Sequence, residues 1–91
     1  MVWKYIYTKG VPIEAQYLYK KAMEMYNLGK TDSAVKYLKQ TLVIAPCYSK
    51  ALLTMGTCLE NLGLYDEATE RYKQAIRIDP SLKEILDKRR R

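Results

Sequence analysis

Residues 49–80, SKALLTMGTCLENLGLYDEATERYKQAIRIDP, fall on residues 15–46, AQYLYKKAMEMYNLGKTDSAVKYLKQTLVIAP, when the chain is shifted by 34 places without a gap. Leu28-Gly29 lies on Leu62-Gly63, Asp32 on Asp66, Ala34 on Ala68, Lys39-Gln40 on Lys73-Gln74, Ile44 on Ile78 and Pro46 on Pro80. Self-similarity at a fixed period of this length means stacked units, each unable to bury its apolar face alone.

Each unit reads as two helices joined by a tight turn. Leu18, Ala22 and Met25 in one unit, and Leu52, Met55, Gly56 and Leu59 in the other, recur at three- and four-place intervals, which is helical spacing and not strand spacing. Gly29 and Gly63 follow the first helices, where a left-handed residue closes a helix end. Asp32 and the pair Asp66-Glu67 stand where carboxylates favour the start of the second helices. Pro46 and Pro80 stop those helices, because proline cannot continue the hydrogen-bond ladder. The spacing predicts helices over 13–28, 32–44, 48–62 and 66–78.

These residues resemble the tetratricopeptide repeat, a helix-turn-helix unit with a large-x2-Leu-Gly-x2-Tyr stretch, then a small residue, an aromatic and a closing proline. The second unit carries the pattern in Leu52, Met55, Gly56, Leu59, Ala68, Tyr72, Ala75 and Pro80. The first is looser, with Leu18, Ala22, Met25, Ala34, Leu38, Thr41 and Pro46, and it places Lys21 where the pattern is apolar. The resemblance implies an all-α fold of antiparallel helix-turn-helix repeats stacked as a short right-handed α-solenoid. The expected divisions are an N-terminal segment over 1–14, two repeats over 15–82, and a capping helix with a basic tail over 83–91, in one domain. In that tail Ile85 and Leu86 face back onto the second repeat. Residues Val2 to Tyr7 are expected to form an irregular aromatic lid.

Composition agrees with an ordinary globular chain. Ninety-one residues, 48% hydrophobic and 29% charged, contain no long apolar run for a membrane span and no signal-peptide core. Cys47 and Cys58, in a chain without histidine, offer neither a zinc site nor a disulfide framework. Both read as small buried hydrophobes in a reducing cytoplasm, with a disulfide between them as the alternative. The net charge of +6 is uneven, and half of the excess sits in 83–91, mostly Lys88, Arg89, Arg90 and Arg91. That run reads as a solvated helix end. Contact with nucleic acid through it is the less favoured alternative, because most of the nine tyrosines already hold repeat positions.

Nothing points to catalysis. Ser33, Ser49 and Ser81 have no base near them in sequence, no glycine-rich phosphate loop occurs, and Glu67 with Glu70 read as a solvated face. No cofactor or metal is expected.

In the family this chain resembles, first helices line the concave side of a superhelix that grips an extended peptide or a partner helix. Carried over place by place, that lining is Gln16, Tyr19, Met23, Tyr26 and Asn27 from the first unit and Lys50, Leu53, Thr57, Glu60 and Asn61 from the second. Aromatic and methionine area suits burial of a guest, and the amides of Asn27 and Asn61 suit its backbone. The competing reading has Tyr19, Met23 and Tyr26 covered by the N-terminal segment. Family members that bind the carboxyl-terminal tails of heat-shock chaperones use a basic clamp on this face. Here Lys50 with Asn27 or Asn61 would be its only members, while Tyr19 and Met23 replace clamp residues. The expected function is therefore an adaptor or scaffold holding a protein or peptide partner, with self-assembly into a homodimer as the alternative, since two repeats are fewer than the three usually needed.

Overall fold

Pro12 sets the first helix boundary. The computed structural model describes residues 10–89, without the side chains of Ile85 and Arg89, so the expected aromatic lid, the Ile85 contact and the arginine tail lie outside the described residues. Five helices follow one another: α1 (Ile13–Asn27), α2 (Thr31–Ile44), α3 (Ser49–Asn61), α4 (Tyr65–Ile78) and α5 (Leu82–Arg89). There is no strand among the described residues. The four helices expected from spacing are found within a residue of their expected ends.

The local causes repeat with the sequence. Gly29 and Gly63 adopt φ of 80° and 82°, a left-handed conformation that costs a side-chain-bearing residue about 1 kcal/mol or more. At the first, Gly29 N–H bonds Tyr26 O at 3.0 Å and Lys30 N–H bonds Met25 O at 2.9 Å. At the second, Gly63 N–H bonds Glu60 O at 2.9 Å and Leu64 N–H bonds Leu59 O at 2.9 Å. Each pair is a Schellman closure, which satisfies carbonyls that the helix end would otherwise orphan. The next helices begin at once, with no side-chain cap at Lys30 or Leu64. Asp32 in the first turn of α2, and Asp66 with Glu67 in that of α4, complement the exposed amides instead. After α2, Tyr48 N–H bonds Ala45 O at 3.1 Å across a turn with Pro46 and Cys47 at its tip. After α4, the Asp79 carboxylate accepts Ser81 N–H at 3.2 Å and Ser81 Oγ–H at 2.6 Å, which leads the chain into α5.

Small residues let the helices approach. Ala22, Ala34, Ala51 and Ala68 are buried within one cluster that also contains Val35, Leu38, Met55, Cys58, Leu59, Tyr72 and Leu86, so a single apolar core runs through all five helices. Leu52, Ala75 and Leu82 form a smaller cluster beside it. Gly56 is the tightest place: a Cβ there would lie 2.6 Å from Tyr72 Cε1. Thr41 is fully buried, and its hydroxyl donates to Tyr37 O at 2.8 Å, one turn back along its own helix. Lys21 occupies its apolar place half-buried, with its ammonium 3.6 Å from Glu24 Oε1 and 5.7 Å from the centre of the Tyr17 ring, so the stem packs while the charge stays outside.

The cysteines divide. Cys58 is buried, whereas Cys47 is exposed, and both are free thiols. The expectation that both lie inside fails at Cys47 because it sits at the tip of the turn that Pro46 imposes, where the chain leaves the core.

Candidate functional site

On α3 a turn of about 100° per residue sends Lys50, Leu53, Thr57 and Asn61 to one side and Leu52 and Met55 to the other. The first side, with the matching places on α1, is the expected groove. Leu52 and Met55 form the floor of a separate cleft between α2 and α4.

Along the groove the exposed members are Asn27, Lys50 and Asn61. Gln16, Tyr19, Met23, Tyr26, Leu53, Thr57 and Glu60 are half-buried. Tyr19 joins the two units. Thr54 Oγ1–H donates to Lys50 O at 2.9 Å, so the 3.2 Å contact between Tyr19 Oη and Thr54 Oγ1 has the tyrosine as donor. The Tyr19 ring lies against that of Tyr48, with centroids 5.2 Å apart and planes tilted by 49°. Burial first, and the neighbouring Tyr19 second, push the Tyr48 phenol above the usual tyrosine value.

Farther along, Tyr72 reaches from α4 between two groove residues. Its hydroxyl donates to Glu60 Oε1 at 2.6 Å and lies 3.3 Å from Thr57 Oγ1, while Thr57 Oγ1 is 3.2 Å from Leu53 O. Glu60 is thus held in one orientation by a charge-assisted bond. At the other end, the Gln16 amide donates to Val11 O at 3.0 Å, which ties the groove's rim to the chain entering α1.

The structure therefore divides the ten groove residues by role. Gln16, Tyr19, Thr57 and Glu60 are bonded within the chain, Tyr26 and Leu53 pack against the core, Met23 is half-buried, and Asn27, Lys50 and Asn61 present their polar ends to solvent. Sequence reasoning missed Tyr48, Thr54 and Tyr72 as the groove's supports. The signal for Tyr72 was available: a tyrosine at a buried packing place carries a hydroxyl that needs a partner.

The opposite cleft, about 640 Å³ in volume, was also missed. Lys39, Leu42 and Val43 of α2 form one wall, Arg71, Gln74, Arg77 and Ile78 of α4 the other, and Pro46 with Cys47 close one end.

Paired antiparallel helices with a left-handed glycine inside each pair, a proline between pairs and one shared core define a stacked helix-turn-helix repeat protein. The tetratricopeptide repeat profile matches residues 25–86, more than half of the chain. The chain belongs to the tetratricopeptide repeat family. It is 35% identical over 77 residues to a small glutamine-rich tetratricopeptide repeat-containing protein of Mycosarcoma maydis, covering 85% of this chain and 22% of that one. To an uncharacterized protein of Methanocaldococcus jannaschii it is 30% identical over 69 residues, covering 76% of this chain and 80% of the other. To the protein adenylyltransferase Fic of Drosophila mojavensis it is 38% identical over 82 residues, covering 86% of this chain and 16% of that protein. The chain thus spans about a fifth of the fungal relative and less of the fly one. No helix among the described residues is long and apolar enough to cross a membrane.

Proposed function

We propose that the chain is a non-catalytic adaptor that holds an extended peptide or a helix of a partner protein in the groove formed by α1 and α3. Tetratricopeptide repeats mediate protein–protein interaction, and the family membership supplies that much. The observation that carries the finer reading is the arrangement of the groove itself. Three exposed polar ends, Asn27, Lys50 and Asn61, flank half-buried apolar area at Met23, Tyr26 and Leu53. Half-buried side chains still have surface to cover, and they lose little freedom when covered. The internal bonds of Tyr19 and Glu60 fix the groove's walls before a guest arrives. Named activity in the fly relative gives no ground for a catalytic reading, since the match covers 16% of that protein. A groove this small supports an affinity around the micromolar range, dominated by a few aromatic contacts.

The test is a peptide-display selection on the whole chain, followed by mapping of amide shifts. Selected peptides are expected to shift Tyr26, Asn27, Lys50, Leu53 and Asn61, and to bind about tenfold more weakly to a Lys50→Glu/Asn61→Ala double variant, whose changes lie at exposed places. Equal binding to the double variant would remove this reading.

A further inference from the structure

The cleft between α2 and α4 lies on the side of α3 away from the groove, and none of its features is used by the adaptor reading. Its floor and walls are aliphatic: Leu42, Val43, Leu52, Met55 and Ile78. Val43 is 81% exposed, the highest of the exposed large hydrophobic residues among the described ones, so the apolar surface there is open to water. At about 640 Å³ the cleft falls within the roughly 300–1,000 Å³ of pockets that hold ligands. The rim is charged with one sign only. Lys39 stands on one wall, Arg71 and Arg77 on the other, and no carboxylate lines the cleft. None of these three cations forms an ion pair among the described residues, although Arg71 Nη1 donates to Gln74 Oε1 at 3.0 Å.

We propose that this cleft is a second docking surface, one that takes an amphipathic helix of a partner protein with aliphatic side chains toward α3 and carboxylates toward Lys39, Arg71 and Arg77. Two chemistries must be met at once, an aliphatic floor and a purely cationic rim, and a helix with apolar residues at three- and four-place intervals flanked by glutamates meets both. Nucleic acid meets only the second. Proteins hold single strands by stacking the bases on aromatic side chains, and no tyrosine lines the cleft. The cationic rim also sets the order of events, because like-signed rim charges steer an acidic segment in before the apolar contacts close.

The experiment uses the whole chain and a fluorescent synthetic helix of glutamate and leucine, with the lysine-for-glutamate version and an oligothymidylate as comparisons, read by anisotropy. The acidic peptide is expected to bind, and raising salt from about 50 to about 200 mM should weaken it several-fold. Arg71→Glu/Arg77→Glu is expected to weaken it about tenfold or more, and Val43→Glu likewise, at a place too exposed to disturb folding. Lys50→Glu/Asn61→Ala is expected to leave it unchanged, which keeps this result separate from any failure of the groove reading. Equal binding of the lysine peptide, binding of the oligothymidylate in place of the acidic peptide, or insensitivity to both cleft variants would overturn the proposal.

Discussion

At Gly56 a single carbon decides the sign of a substitution. Alanine is the better helix former by about 1 kcal/mol, so Gly56→Ala on an open helix face would stabilise. Here the added Cβ would lie 2.6 and 2.7 Å from Tyr72 Cε1 and Cδ1, and that ring is 3% exposed with its hydroxyl held by Glu60. It has nowhere to swing. Overpacking of this kind costs about 1–3 kcal/mol, so the net effect is destabilising and appears as a lower denaturant midpoint. The first unit shows the other solution, since the matching places hold Ala22 and Leu38, both fully buried. In a Tyr72→Leu background the same Gly56→Ala change should therefore become neutral or stabilising by up to about 1 kcal/mol. If its cost is the same in both backgrounds, the ring is not what excludes the methyl group. Tyr48 carries a second residue-scale consequence. Its folded phenol sits above the usual value near about 10, so the fold favours the neutral form. The resulting stability is complete below about pH 10 and is lost as pH rises through the folded value. Tyr48→Phe should flatten the alkaline fall in unfolding midpoint relative to the parent chain, and parallel curves would show that other groups cause it.

At the scale of elements, the boundaries were legible because their causes are local. Gly29 and Gly63 must take positive φ, and Pro46 and Pro80 cannot accept helix continuation, whatever surrounds them. The ten groove residues came instead from the family resemblance, whose concave lining was carried over place by place. What spacing could not give is which of those side chains another helix would engage: Tyr72 reaches Glu60 from a different element, and Thr54 meets Tyr19 across the boundary between units. The cleft was out of reach for a stronger reason, since it lies between α2 and α4, which are not consecutive and share no local signal. Helix α5 tests how far an end element contributes. Leu82 and Leu86 are buried although the helix is short, so it covers apolar surface of the second unit. Leu86→Ala should cost about 2 kcal/mol, the low end for buried leucines because a terminal helix can settle into the space. Amide exchange should rise first in α5 and only then in α4. No change in midpoint would mean that the second unit is stable without its cover.

The described residues measure 41 × 28 × 18 Å with a radius of gyration of 12.9 Å, slightly more than the roughly 12 Å of a compact domain of this length. That is the shape of a short stack, in which each unit touches only its neighbour and stability is a sum of unit and interface terms. With two units, the interface between α2 and α3 decides whether they unfold together. The core there is continuous: Val35 and Leu38 belong to the same cluster as Ala51 and Met55, and that cluster extends from Ala22 to Leu86. Losing one unit would expose the other's apolar face to water, so a half-folded species carries a large penalty and should stay unpopulated. Urea unfolding followed by helix signal and by tyrosine emission should give coincident single transitions, with a stability near about 5 kcal/mol, the lower end for single domains. Two separated transitions would mean that the α2–α3 interface is weaker than the pairing inside each unit. The same samples settle assembly: α5 already covers the second unit, so light scattering should report a concentration-independent mass near the 10.6 kDa of one chain. A mass that doubles as concentration rises, together with a midpoint that rises with it, would show instead that exposed ends pair and that the second chain supplies part of the core.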